Sequence, residues 1–99
     1  MERSVQLKNV HLLVEGRVQA VGFRYFTWQT AKKLRICGWV RNRADGAVEI
    51  KAEGSTTDVD AFIAAVKKGS PFSRVQHVSI YVADYPEHFS SFEIVDSLG

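Results

Sequence analysis

The segment Gly16-Arg17-Val18-Gln19-Ala20-Val21-Gly22-Phe23-Arg24 holds the most suggestive grouping of chemistry in this chain. It follows the apolar run Leu12-Leu13-Val14 and leads into a helical pattern, so it reads as a strand-to-helix loop. A loop of that kind, beside a helix N-terminus, aims several main-chain N–H groups at one point and forms an anion site. No acidic side chain and no proline lies within it, so neither a negative charge nor a missing donor weakens the cradle. Arg17 and Arg24 flank it. A cation near a helix start opposes the dipole at a cost of about 0.3–1 kcal/mol, and an anion between the two reverses the sign. Arg24 therefore fits either a solvated side chain or one closed on a bound anion. Arg17 fits either a solvated side chain or added positive field at the mouth.

The elements that must position these groups follow from periodicity. Residues 8–14 read as a first strand. Phe23, Phe26, Thr27, Thr30, Ala31 and Leu34 recur at helical spacing and predict a helix over 23–34. A second strand spans 36–42, and Asp45-Gly46 marks a hairpin turn. In the third strand Val48, Ile50 and Ala52 alternate with Glu49, Lys51 and Glu53, which predicts one buried and one charged, solvated face. A second helix is expected near Thr57, read as its N-cap with Asp60 three residues on, and with Val59, Phe62, Ile63 and Val66 as its apolar stripe. Gly69 and Pro71 end it. Val78, Ile80 and Val82 alternate in a fourth strand, and Phe92 and Ile94 suggest a short fifth.

The order is β-α-β-β-α-β with a short last strand. That is an α+β, ferredoxin-like split β-α-β sandwich, with two helices on one face of a mostly antiparallel sheet of four to five strands. In this topology the first two strands run parallel with the third between them. Their C-terminal ends share one edge of the sheet, two strand spacings or roughly 10 Å apart. The loop leaves the first strand there, Arg24 begins the helix there, and Asn42 ends the second strand there. Read alone, Asn42 is equally a turn-forming residue before the hairpin.

These residues carry a family resemblance. The loop motif, Gly38-Trp39-Val40-Arg41-Asn42, Asp45-Gly46, Val48-Glu49-Ile50, Ala52-Glu53-Gly54, Gly69-Ser70-Pro71 and Val75 together resemble the acylphosphatase family over nearly the whole domain. The resemblance implies hydrolysis of carboxyl-phosphate mixed anhydrides to a carboxylate and inorganic phosphate, with no metal or other cofactor. It implies phosphate binding by Gly16, Arg17, Val18, Gln19, Ala20, Val21 and Gly22 together with Arg24. It gives Asn42 the attacking water. Ala20 departs from the glycine usual there. At a positive φ an alanine costs roughly 1–2 kcal/mol. We expect a negative φ and a harmless change, since the methyl leaves the N–H available.

Composition bounds the rest. A chain of 99 residues makes one domain, expected over 8–99 with a flexible stretch over 1–7, and 45% hydrophobic residues supply a single core. One cysteine, Cys37, allows no internal disulfide, and no secretory pattern opens the chain, so a cytoplasmic location is expected. A net charge of +2, spread along the chain, does not predict nucleic-acid binding. Lys32, Lys33 and Arg35 sit where the first helix ends and complement its dipole. No apolar stretch reaches membrane-spanning length. The partners expected are a small acyl phosphate and inorganic phosphate, with the protein a monomer. The scattered His11, His77, His88 and Cys37 have no metal-ligand spacing. A non-catalytic phosphate- or acyl-phosphate-binding module on the same fold is the alternative.

Overall fold

The computed structural model describes residues 6–96. The elements are β1 (Leu7–Arg17), α1 (Phe23–Lys33), β2 (Cys37–Asn42), β3 (Val48–Ser55), α2 (Thr56–Lys68), β4 (Arg74–Val82) and β5 (Phe92–Ile94). They form one sheet in the order β4-β1-β3-β2-β5. β1 and β2 each pair antiparallel with β3, so they run parallel to each other with β3 between them. β4 adds antiparallel to the outer side of β1, and β5 adds parallel to β2.

The alternation in the sequence sets the core. Val10, Leu12 and Val14 of β1, Val40 of β2 and Val48, Ile50 and Ala52 of β3 are fully buried on one sheet face. Phe23, Thr27 and Ala31 of α1, and Val59, Phe62 and Val66 of α2, are buried on that same side. α1 covers β2 and β5, while α2 covers β1, β3 and β4. Thr27 can be buried because its hydroxyl donates to the Phe23 carbonyl at 2.9 Å. Lys32 and Lys33 occupy the last turn of α1, and Lys32 also sits 4.9 Å from the centre of the Trp28 ring.

Four expectations change. β1 opens at Leu7, paired with Ser55, so Leu7 belongs to the sheet; residues 1–5 of the stretch expected to be flexible, and 97–99 of the expected domain, lie outside the described residues. The N-cap of α2 is Ser55, not Thr57: its hydroxyl accepts the Asp58 N–H at 3.1 Å. β3 passes into α2 with no intervening loop, so the last strand residue is also the cap. β1 continues to Arg17, three residues beyond its expected end.

The fourth change concerns the outer sheet face. Glu49 and Glu53 are 8% and 3% exposed rather than solvated. Glu49 is flanked by His11, whose Nε2 lies 2.5 Å from Oε2, and by Arg41, whose Nη2 lies 2.6 Å from Oε1. Glu53 accepts the Asn9 side-chain amide at 3.1 Å and the N–H groups of Glu87 and Phe89 at 2.6 and 2.9 Å. The connection between β4 and β5 thus folds over the start of β1 and the end of β3, tied also by Lys51 to Glu87 at 2.8 Å. Burial pushes both carboxyls up, but the hydrogen bonds outweigh it and hold both below the usual carboxylate range.

Candidate active site

One rung of the sheet fixes the site. Val48 of β3 pairs with Val14 of β1 on one side and with Asn42 of β2 on the other. The end of β2 is therefore level with the stretch of β1 that leads into residues 18–22. Those residues cross from the sheet to α1. A left-handed Gly22, with φ of 75°, turns the chain into the helix as its N-cap. The first intrahelical bond there runs from Phe26 N–H to Gly22 carbonyl at 3.0 Å. The N–H groups of Phe23, Arg24 and Tyr25 precede it, and no acidic side chain lies in that turn.

Val18, Ala20, Gly22, Phe23, Arg24, Tyr25, Asn42 and Ile94 line one concavity of about 200 Å³. That is below the roughly 300–1,000 Å³ typical of sites for drug-sized ligands. It suits a group of phosphate size with a water molecule. Arg24 is half-buried on one side. Asn42 lines the same space, and its Oδ1 is buried with no hydrogen-bond partner among the described residues. An unpartnered buried acceptor is costly unless a ligand or solvent donor completes it. The rim is apolar: Tyr25 stacks on Trp28 with ring centres 5.8 Å apart, and Ile94 is 42% exposed.

Only part of the expected cradle faces this space. Val18, Ala20, Gly22 and Arg24 line it; Gly16, Arg17, Gln19 and Val21 do not. Gly16 and Arg17 belong to β1, paired with Val75 and Arg74, rather than to the loop. Gly16 sits at a register shift with φ of 132°, and a Cβ there would stand 2.2 Å from the Arg74 carbonyl oxygen. Its glycine is demanded by the close approach of β4. Both residues line a separate groove with Glu15, Asp45, Gly46, Ala47 and Gln76. Val21 packs against the core.

Ala20 overturns an expectation outright. Its φ is +60°, in the left-handed region. An L-residue held there costs about 1–2 kcal/mol, so alanine in the position where glycine was expected is strained, not harmless. Nothing in the sequence marks the sign of φ at an alanine.

Beside the site, the β2–β3 turn is closed by Arg43 N–H to the Ala47 carbonyl at 2.8 Å and Gly46 N–H to the Arg43 carbonyl at 3.2 Å. Hydrogen bonds from the Arg43 side chain and the Ala47 N–H hold the Asp45 carboxyl below the usual carboxylate range.

A ferredoxin-like sheet with an uncapped helix N-terminus and Arg24 beside one small concavity defines a small α+β domain of the ferredoxin-like class. The acylphosphatase family model matches residues 10–94. The chain is 49% identical over 86 residues to the acylphosphatase of Bacillus subtilis, covering 87% of this chain and 94% of that protein. With the acylphosphatase of Bacillus licheniformis it shares 48% identity over 83 residues, 84% and 92% of the two chains. The crystal structure of the Bacillus subtilis acylphosphatase superposes with a TM-score of 0.87 at 47% identity, covering 91% of this chain and 99% of that one. Full-length HypF in its phosphate- and nucleotide-bound form matches at a TM-score of 0.89 and 27% identity, over all of this chain and 13% of that one. The chain belongs to the acylphosphatase family, and is an enzyme of that type.

Proposed function

We propose that this enzyme hydrolyses small acyl phosphates by gripping the phosphoryl group between residues 18–24 and steering water from Asn42. The observation that carries the reading is the meeting of Arg24, Asn42 and the uncapped first turn of α1 around one small concavity. Larger grooves exist, such as one of about 510 Å³ along Trp28, Lys32 and Cys37, but they do not contain the free first-turn N–H groups of α1.

The chemistry follows. A carboxylate is a good leaving group, so no strong acid is needed to protonate it. Positioning and charge neutralisation remain, and these dominate phosphoryl transfer. Val18, Ala20 and Gly22 contribute main-chain surface to the cradle. The N–H groups opening α1 and the Arg24 guanidinium neutralise the equatorial oxygens, whose charge spreads in the transition state. The Asn42 side-chain amide hydrogen-bonds the attacking water and holds it in line with the leaving oxygen. The substrate phosphate itself takes the proton. The apolar rim of Tyr25 and Ile94 meets the acyl group.

On this reading the partners are a small acyl phosphate and inorganic phosphate. The protein acts as a monomer in the cytoplasm, where a single free thiol, Cys37, stays reduced. Nucleic acid is not a partner: Glu49 and Glu53 occupy the centre of the outer sheet face, where an RNA-binding sheet places stacking aromatics. Among the described residues no helix is long and apolar enough to cross a membrane.

Release of inorganic phosphate from benzoyl phosphate by the purified chain tests the reading. Phosphate binding without release would instead establish a binding module.

A further inference from the structure

We propose that Gln19 is a positioning residue that locks the phosphate cradle to the strand end carrying Asn42. The inference rests on the acyl-phosphate reading and adds to it a device that sets the distance between its two halves. Gln19 lies in the middle of the cradle sequence, yet its side chain does not line the concavity. Its Nε2 donates one hydrogen to the Arg43 carbonyl at 2.8 Å and the other to the Ala47 carbonyl at 2.9 Å. Both donors of the amide are spent on the turn that begins immediately after Asn42. The two acceptors are also the ones that close the turn, through Gly46 and Arg43 N–H groups. One side chain therefore reads the shape of the β2–β3 turn and fixes the loop to it.

The neighbouring residue explains why such a lock matters. Ala20 is held at a φ of +60°. A strained backbone persists only where its surroundings over-determine it. Gln19 anchors the loop on the residue just before the strained one, and the left-handed Gly22 and the helix anchor it beyond. Without the amide, the loop can relax away from the turn. Val18, Ala20 and Arg24 would then move relative to Asn42. A misplacement of about 1 Å is enough to lower a positioned reaction by two orders of magnitude. Phosphate affinity depends on the cradle alone, whereas turnover depends on the cradle and Asn42 together.

The test is Gln19→Met, which keeps the length and removes both donors, assayed with benzoyl phosphate beside wild type. Expected are a kcat at least tenfold lower, an inhibition constant for inorganic phosphate within threefold of wild type, and an intact circular dichroism spectrum. A kcat within twofold of wild type would overturn the lock. So would a fall in kcat matched by an equal loss of phosphate affinity, which marks general loosening. If the methionine variant does not fold, Gln19→Ala carries the same test, since it removes both donors and adds no charge beside the phosphate. Wild type that releases no phosphate would sink the acyl-phosphate reading itself, and the lock with it. Active wild type with an unaffected variant sinks the lock alone.

Discussion

Arg24 in the first turn of α1 and Asn42 at the last position of β2 line the same concavity, brought there by the parallel β1 and β2 with β3 between them. The two side chains have different tasks on this account, and kinetics separates them. Asn42→Ala removes the amide that orients water and leaves the cradle whole. We expect kcat to fall by about 10²-fold with KM changed by less than about threefold. Steady-state assays with benzoyl phosphate read both parameters, and an unchanged kcat would remove Asn42 from the mechanism.

Ala20→Gly relieves a left-handed alanine. The strain of about 1–2 kcal/mol is partly offset by the extra entropy that glycine brings to the unfolded chain. A net gain of about 0.5–1 kcal/mol in unfolding free energy is expected, read as a higher urea midpoint at unchanged slope. Because the N–H at position 20 stays where it was, kcat should remain within a few-fold of wild type.

Ile94→Ser removes apolar surface from the rim. Ile94 is partly exposed, so its contact with an aryl group is worth up to about 1 kcal/mol, or roughly a fivefold rise in KM for benzoyl phosphate. Acetyl phosphate, with one methyl to offer, should show the smaller change. Equal changes for both substrates would place the acyl group elsewhere.

Acid should unfold the protein through its outer sheet face. The Glu49 and Glu53 carboxyls have folded-state pKa values below their ordinary value, so their stabilisation is complete above the unfolded pKa of about 4.3. It is lost as the pH falls through the lower, folded-state values. Stability measured by denaturant titration should therefore decline below about pH 4.3. In Glu49→Gln that decline should be shallower, from a starting stability lower by about 1–3 kcal/mol because Arg41 and His11 lose their charged partner.

The β-α-β-β-α-β order was legible because Val48, Ile50 and Ala52 alternate and Asp45-Gly46 punctuates the hairpin, both local signals. That order alone brought the loop, Arg24 and Asn42 to one sheet edge. The burial of Glu49 and Glu53 was not legible, since it is completed by β1 and residues 87–89, far away in sequence, together with Arg41 across the hairpin. Nor was the start of α2, where Ser55, Thr56, Thr57 and Asp58 offer four capping side chains in a row. Glycine serves both a phosphate loop and a close strand contact, so the close approach of Gly16 to β4 was not legible either. Only the register with β4 distinguishes the two. The targets of Gln19 are carbonyls 24 and 28 residues away, and main-chain acceptors leave no mark on a sequence.

Arg24 is the residue on which the proposed chemistry depends most directly. The measurement is phosphate release from benzoyl phosphate by wild type and by Arg24→Ala, without added metal, with inorganic phosphate titrated as inhibitor. Turnover by wild type, a loss of at least about 10²–10³-fold in the variant, and loss of phosphate inhibition are predicted. A folded Arg24→Ala protein that releases phosphate at the wild-type rate would contradict the account.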